Sequence, residues 1–208
     1  MERLAQDSHQ EVRGSVASNP NIPLHILKEL SQDKEESVRA GVAKNPNIPE
    51  EILRKLSKDE SKWIRENVAE NPNTREEALQ GLSQDNSENV RSAIAYNPNT
   101  SLHILKELSQ DKSELVRMGI AANPNTPIEV LEKLTEDESE DVRENIMFRS
   151  NISLKILEKL SRDKSDLIRI FVVANPNTPT RILKELAEDN AYNVKMLALK
   201  RLKEYEQI

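Results

Sequence analysis

No cysteine occurs in the 208 residues, which excludes a disulfide framework, a thiolate metal site and a cysteine nucleophile. Aromatic residues make up only 3% of the chain, one Trp, three Tyr and two Phe. That is low for a globular enzyme and ordinary for stacked helices of Leu, Ile, Val and Ala. No apolar run approaches the roughly 18 residues of a membrane span, and the opening Met1-Glu2-Arg3-Leu4 has no apolar leader segment. A cytoplasmic protein with no membrane association is expected. With four glycines there is no glycine-rich phosphate loop, and no HExxH or GxSxG pattern is present. His25 and His103 share a repeat position but lie three repeats apart. At about 8–10 Å per layer they cannot share a metal. No metal or cofactor is expected. Basic charge is also in deficit, with 30 Lys and Arg against 36 Asp and Glu, which argues against a general nucleic-acid binder.

What is present is one sentence repeated every 26 residues without insertion or deletion. Asp recurs at Asp7, Asp33, Asp59, Asp85, Asp111, Asp137, Asp163 and Asp189. Arg follows six places later at Arg13, Arg39, Arg65, Arg91, Arg117, Arg143 and Arg169, with Lys195 closing the series. A fixed period of this size marks a solenoid, whose units bury their cores only against neighbours. The expectation is an all-α solenoid forming a single domain of eight repeats. They run 4–29, 30–55, 56–81, 82–107, 108–133, 134–159, 160–185 and 186–208, the last a C-terminal cap. The array fills the chain and leaves no room for a separate catalytic domain.

Each repeat reads as two helices of two to three turns. In repeat 108–133 the first helix starts at Thr126, with Thr126 as N-cap, Pro127 at the first helical position and Glu129 completing a capping box. Val130, Leu131 and Leu134 share its buried face. The second starts at Asp111, read as N-cap, and buries Val116, Ile120 and Ala121. It is expected to be short and 3₁₀ in part. Asn123-Pro124-Asn125 ends it, because a residue before proline leaves the α region. The same hinge recurs at Asn45-Pro46-Asn47, Asn71-Pro72-Asn73 and Asn97-Pro98-Asn99. A pair present in every repeat is framework rather than catalyst, since an active site needs one constellation and not eight. Asp33, Asp59, Asp85, Asp111, Asp137 and Asp163 are therefore assigned a structural role, together with Arg39, Arg65, Arg91, Arg117, Arg143 and Arg169.

The string Leu-Ser-x-Asp-x-Ser-x-x-Val-Arg-x-x-Ile-Ala-x-Asn-Pro-Asn-Thr-Pro resembles the leucine-rich repeat variant family over nearly the whole chain. The resemblance implies a solenoid of alternating α and short 3₁₀ helices, loosely related to HEAT-like arrays. The period here is slightly longer than the family's, so helix lengths need not match. The family's founding member also carries an iron–sulfur cluster on cysteines, which a chain without cysteine does not inherit.

Function in such an array lives where the repeats differ. Helical phase turns one face of each second helix away from the stack, and from the third repeat on that face gathers large apolar groups. Trp63, Tyr96, Leu115, Met118, Phe148 and Ile170 are the expected partner-binding residues of a concave surface. The alternative is that they pad the core. The leading functional expectation is a non-enzymatic scaffold for a protein, peptide or partner helix. The alternatives are a HEAT-like nucleic-acid-binding array and an idealised or duplicated array with no evolved partner. Two places depart from the framework itself. The third repeat has Arg75, Ala78 and Gly81 in its first helix, which should be the weakest. The sixth and seventh carry Met147, Phe148, Phe171 and Val173 beside a hinge that has become Arg149-Ser150-Asn151. Either the bulky residues compensate across one interface, with a bend or pocket, or they reflect drift.

Overall fold

Apolar residues at i, i+1 and i+4 on one helix, and at i and i+4 on the next, demand a two-layer helical stack. A computed structural model, which describes residues 1–149 and 152–206, has that arrangement, with helices and no strand among the described residues. The chain is an α-solenoid of repeats. It divides into two compact units, Met1–Asn125 and Thr126–Ile208. Unit one holds α1 (Glu2–Ala5), α2 (Gln10–Ala17), α3 (Leu24–Leu30), α4 (Glu36–Ala43), α5 (Glu50–Leu56), α6 (Lys62–Glu70), α7 (Glu76–Leu82), α8 (Glu88–Tyr96), α9 (Leu102–Leu108) and α10 (Glu114–Ala122). Unit two holds α11 (Ile128–Leu134), α12 (Glu140–Met147), α13 (Leu154–Leu160), α14 (Asp166–Ala174), α15 (Thr180–Leu186) and α16 (Tyr192–Glu206). Within each unit the even-numbered second helices pack side by side in one layer, and the odd-numbered first helices cover them. Ile52, Leu53 and Leu56 from one layer meet Ile64, Val68 and Ala69 from the other, all buried.

Three local expectations are corrected. The second helices from α2 to α14 have the expected two to three turns, at eight or nine residues against seven in the first helices from α3 on, but they are α, with no 3₁₀ turn among the described residues. Pro127 is the N-cap of α11, one place later than expected, and no side chain caps that helix. The threonine before it has other work. In the equivalent repeats Thr74, Thr100 and Thr178 are buried and donate to the carbonyls of Val68, Ile94 and Val172 at 2.5–2.6 Å. The hydroxyl there closes the end of the preceding second helix. Likewise Asp111 is not the N-cap of α10, which is Ser113. Asp111 stands two places earlier and accepts from the Ser113 backbone N–H at 2.8 Å, an Asx-type turn that fixes the approach to the helix.

The Asp and Arg series meet across repeats. Arg91 donates from Nε to Asp111 Oδ2 at 2.6 Å and from Nη2 to Oδ1 at 3.0 Å, a bidentate pair. Its Nη1 donates to the backbone carbonyl of Asp85 in its own repeat. The same fork joins Arg13 to Asp33, Arg39 to Asp59, Arg65 to Asp85, Arg143 to Asp163 and Arg169 to Asp189. Burial raises the Asp111 carboxyl, and the Arg91 and Ser113 hydrogen bonds more than offset it, leaving the group below the ordinary aspartate value. Hinge asparagines form a second ladder. Asn97 Nδ2 donates to the carbonyls of Ala69 (2.6 Å) and Asn71 (3.2 Å), and its Oδ1 accepts from Asn99 N. In the eighth repeat Arg201 takes the hinge position and donates to the corresponding carbonyls of Val173 and Asn175. A cation thus replaces the amide where the repeat has no Asn-Pro-Asn, and α16 runs on through Glu206. Ser150 and Asn151, and the side chain of Tyr205, lie outside what the structure describes. The third repeat's α7 has the same seven residues as its neighbours, with Gly81 facing open space.

Candidate functional site

Second helices expose the face opposite their Val-Arg stripe because the residues at i, i+3 and i+7 fall away from both layers. In unit one Trp63 is 42% exposed, Tyr96 48% and Leu115 47%, while Met118 is half-buried. In unit two Phe148 is 66% exposed and Ile170 half-buried, beside exposed Leu167 and Met196. None of the six residues is fully buried. The middle row sinks deepest, and Ala40 there is buried because neighbouring second helices close over it.

Charge on this face is acidic. Unit one presents Glu11, Glu66 and Glu70 against Lys44, and unit two presents Asp141 and Glu144 against Lys200. Lys44 Nζ lies over the Trp63 ring, 5.6 Å from its centroid, so the indole already carries a cation. Between α6 and α8 there is a hollow of about 310 Å³ lined by Glu66, Glu70, Asn89, Ser92, Ala93, Tyr96, Asn97 and Pro98. The Tyr96 ring rests on Gly119 of α10, where an added Cβ would come within 3.0 Å of ring Cδ2 and 2.7 Å of Ala95 Cβ. In unit two Phe148 leans instead on Phe171, edge to face, with centroids 5.6 Å apart and planes at 64°. Gly119 and Phe171 are contributors that the linear reading does not assign to the site. The signal is present, since each lies 23 places after the ring it supports.

Among the described residues no group of three or more His, Asp or Glu side chains could hold a metal ion. Asp33, Asp59, Asp85, Asp111, Asp163 and Asp189 each accept an Arg fork and a backbone N–H. No described helix is long and apolar enough to cross a membrane.

The decisive comparison is with a solved structure described as a leucine-rich repeat variant with a novel repetitive protein structural motif. It superposes with a TM-score of 0.75 at 25% identity, covering 96% of this chain and 79% of that one. The fold is that of the leucine-rich repeat variant. An engineered protein (14% identity, TM-score 0.36, 94% of this chain and 65% of that one) and a designed armadillo repeat protein (18%, 0.29, 97% and 96%) overlap too weakly to carry an argument. No family model matches, and neither does any curated protein. The absence of cysteine is consistent with an array that carries no iron–sulfur cluster.

Proposed function

We propose that the protein is a non-enzymatic binding scaffold whose second-helix face receives an extended peptide or a partner's helix. In this reading the eight repeats form one domain, the Asp and Arg series is framework, and Trp63, Tyr96, Leu115, Met118, Phe148 and Ile170 contact the partner. One observation carries it. Large apolar and aromatic side chains stand in solvent at the outward positions of successive second helices. Trp and Tyr are typical anchors, because they bury much area at little entropic cost. The excess of carboxylates on the same face weighs against the nucleic-acid alternative.

The test is affinity capture by the wild type and by Trp63→Ala/Phe148→Ala, alongside thermal melts of both. A partner held by the wild type and released by the double variant, at a nearly unchanged melting temperature, is the expected result. Unfolding of the double variant, or equal capture by both proteins, would mean that these side chains serve the core and not a partner.

A further inference from the structure

We propose that the partner segment places a cationic side chain, arginine above all, in the hollow between α6 and α8, with Tyr96 as its wall and Glu66 and Glu70 as its counter-charge. This deepens the binding-scaffold reading and rests on it. The hollow, about 310 Å³, suits one or two side chains, and no Lys or Arg lines it. Some glutamates of the first helices find cations in a neighbouring repeat: Glu77 pairs with Arg54 at 3.6 Å and Glu50 with Arg75 at 3.1 Å. Glu66 and Glu70 have no ion-pair partner among the described residues. They stand one helical turn apart, so their like charges repel until a cation arrives.

The rest of the hollow is tied down by hydrogen bonds and packing. Asn97 commits its amide to two carbonyls and the Asn99 N–H, and Ser92 donates to the Leu115 carbonyl at 3.3 Å. Tyr96 is backed by Gly119 and cannot swing into α10 without meeting its backbone layer. One repeat earlier the same helix layer holds a cation against an aromatic ring, Lys44 over Trp63. A guanidinium suits the α6–α8 hollow better than an ammonium. It is flat and weakly hydrated, stacks on a phenol ring, and carries enough N–H donors for two carboxylates a turn apart. An acidic segment would be repelled from the same place.

The experiment is selection of a random displayed-peptide library against the wild type, followed by affinity measurement on the wild type and on Glu66→Gln/Glu70→Gln. The glutamines keep side-chain volume at exposed or half-exposed positions, and circular dichroism checks that the variant folds. Wild-type binders enriched in arginine, weakened about tenfold or more by the double variant or by replacing their arginine with neutral citrulline, are the expected result. Binders that lack basic residues, or that bind the double variant equally well, overturn the cationic proposal and leave the docking face standing. A selection that returns no binder overturns both.

Discussion

Tyr96 in one unit and Phe148 in the other hold the same place in the repeat, and each leans on the residue 23 places further on. What they lean on differs. Tyr96 lies on Gly119, and α8 and α10 pack tightly enough that a single added Cβ would meet Ala95 at 2.7 Å. Phe148 meets Phe171, and α12 and α14 pack far less closely. The series extends through unit one, where Gly41 and Ala93 at this position accompany close second helices and Asn67 a looser pair. The lesson is that the Asp, Arg and Asn ladders hold the repeats in register while one variable residue sets how near the second helices come. A small residue seats an aromatic ring beside a polar hollow. A large one lifts the ring further into solvent, with 66% of Phe148 exposed against 48% of Tyr96.

Transplanting the wedge should break the comparison most sharply. Gly119→Phe puts a ring where there is no room for a methyl group, and a cost of about 3 kcal/mol or more is expected from urea unfolding. A cost below about 1 kcal/mol would show that α8 and α10 are free to separate and that glycine does not set their approach. The ladder, by contrast, should behave alike in both units. Asp111→Ala and Asp163→Ala each strand an arginine whose fork is nearly buried, and each should lose about 3 kcal/mol. Markedly unequal losses would mean that the framework itself differs between the units. Phe171→Ala removes the prop under Phe148 and should cost about 1–2 kcal/mol, less than a core deletion because both rings are partly in water.

Acid should report the same ladder. Hydrogen bonds from Arg13 hold Asp33 low, and those from Arg39, Arg65 and Arg91 outweigh burial at Asp59, Asp85 and Asp111. A carboxyl lowered in the folded state adds stability above its unfolded value of about 3.9, and that stability is lost as pH falls through the folded value. Unfolding free energy measured against pH should therefore hold from neutrality to about pH 5 and fall below about pH 4, with a shallower fall in Asp111→Asn. The smallest effect expected is a gain. Gly81→Ala on α7 adds a methyl group in open space and should stabilise by about 0.5–1 kcal/mol in the same assay. No gain there would mean that the third repeat's first helix is not limited by its glycine.

Much of this is legible in the chain alone. The period fixes repeat phase, and within it Val90, Ile94, Ile104 and Leu105 fall on buried faces by helical spacing. The same phase argument puts Trp63, Tyr96, Leu115 and Phe148 in solvent, because exposure on a helix follows from angle. Partner choice does not follow. Thr126 and Asp111 each have the chemistry of an N-cap, and a linear reading assigns them that task. In the stack Asp111 turns to an arginine 20 residues earlier, and the equivalent threonines turn to a carbonyl six residues back. The arginine is brought within reach only by layering, and the carbonyl by the turn of the hinge. The depth of Met118 and Ile170, the seat of Tyr96 on Gly119 and the prop of Phe148 on Phe171 are tertiary decisions for the same reason. They depend on how closely neighbouring helices approach, a distance set by the smallest side chain between them and written in no single repeat.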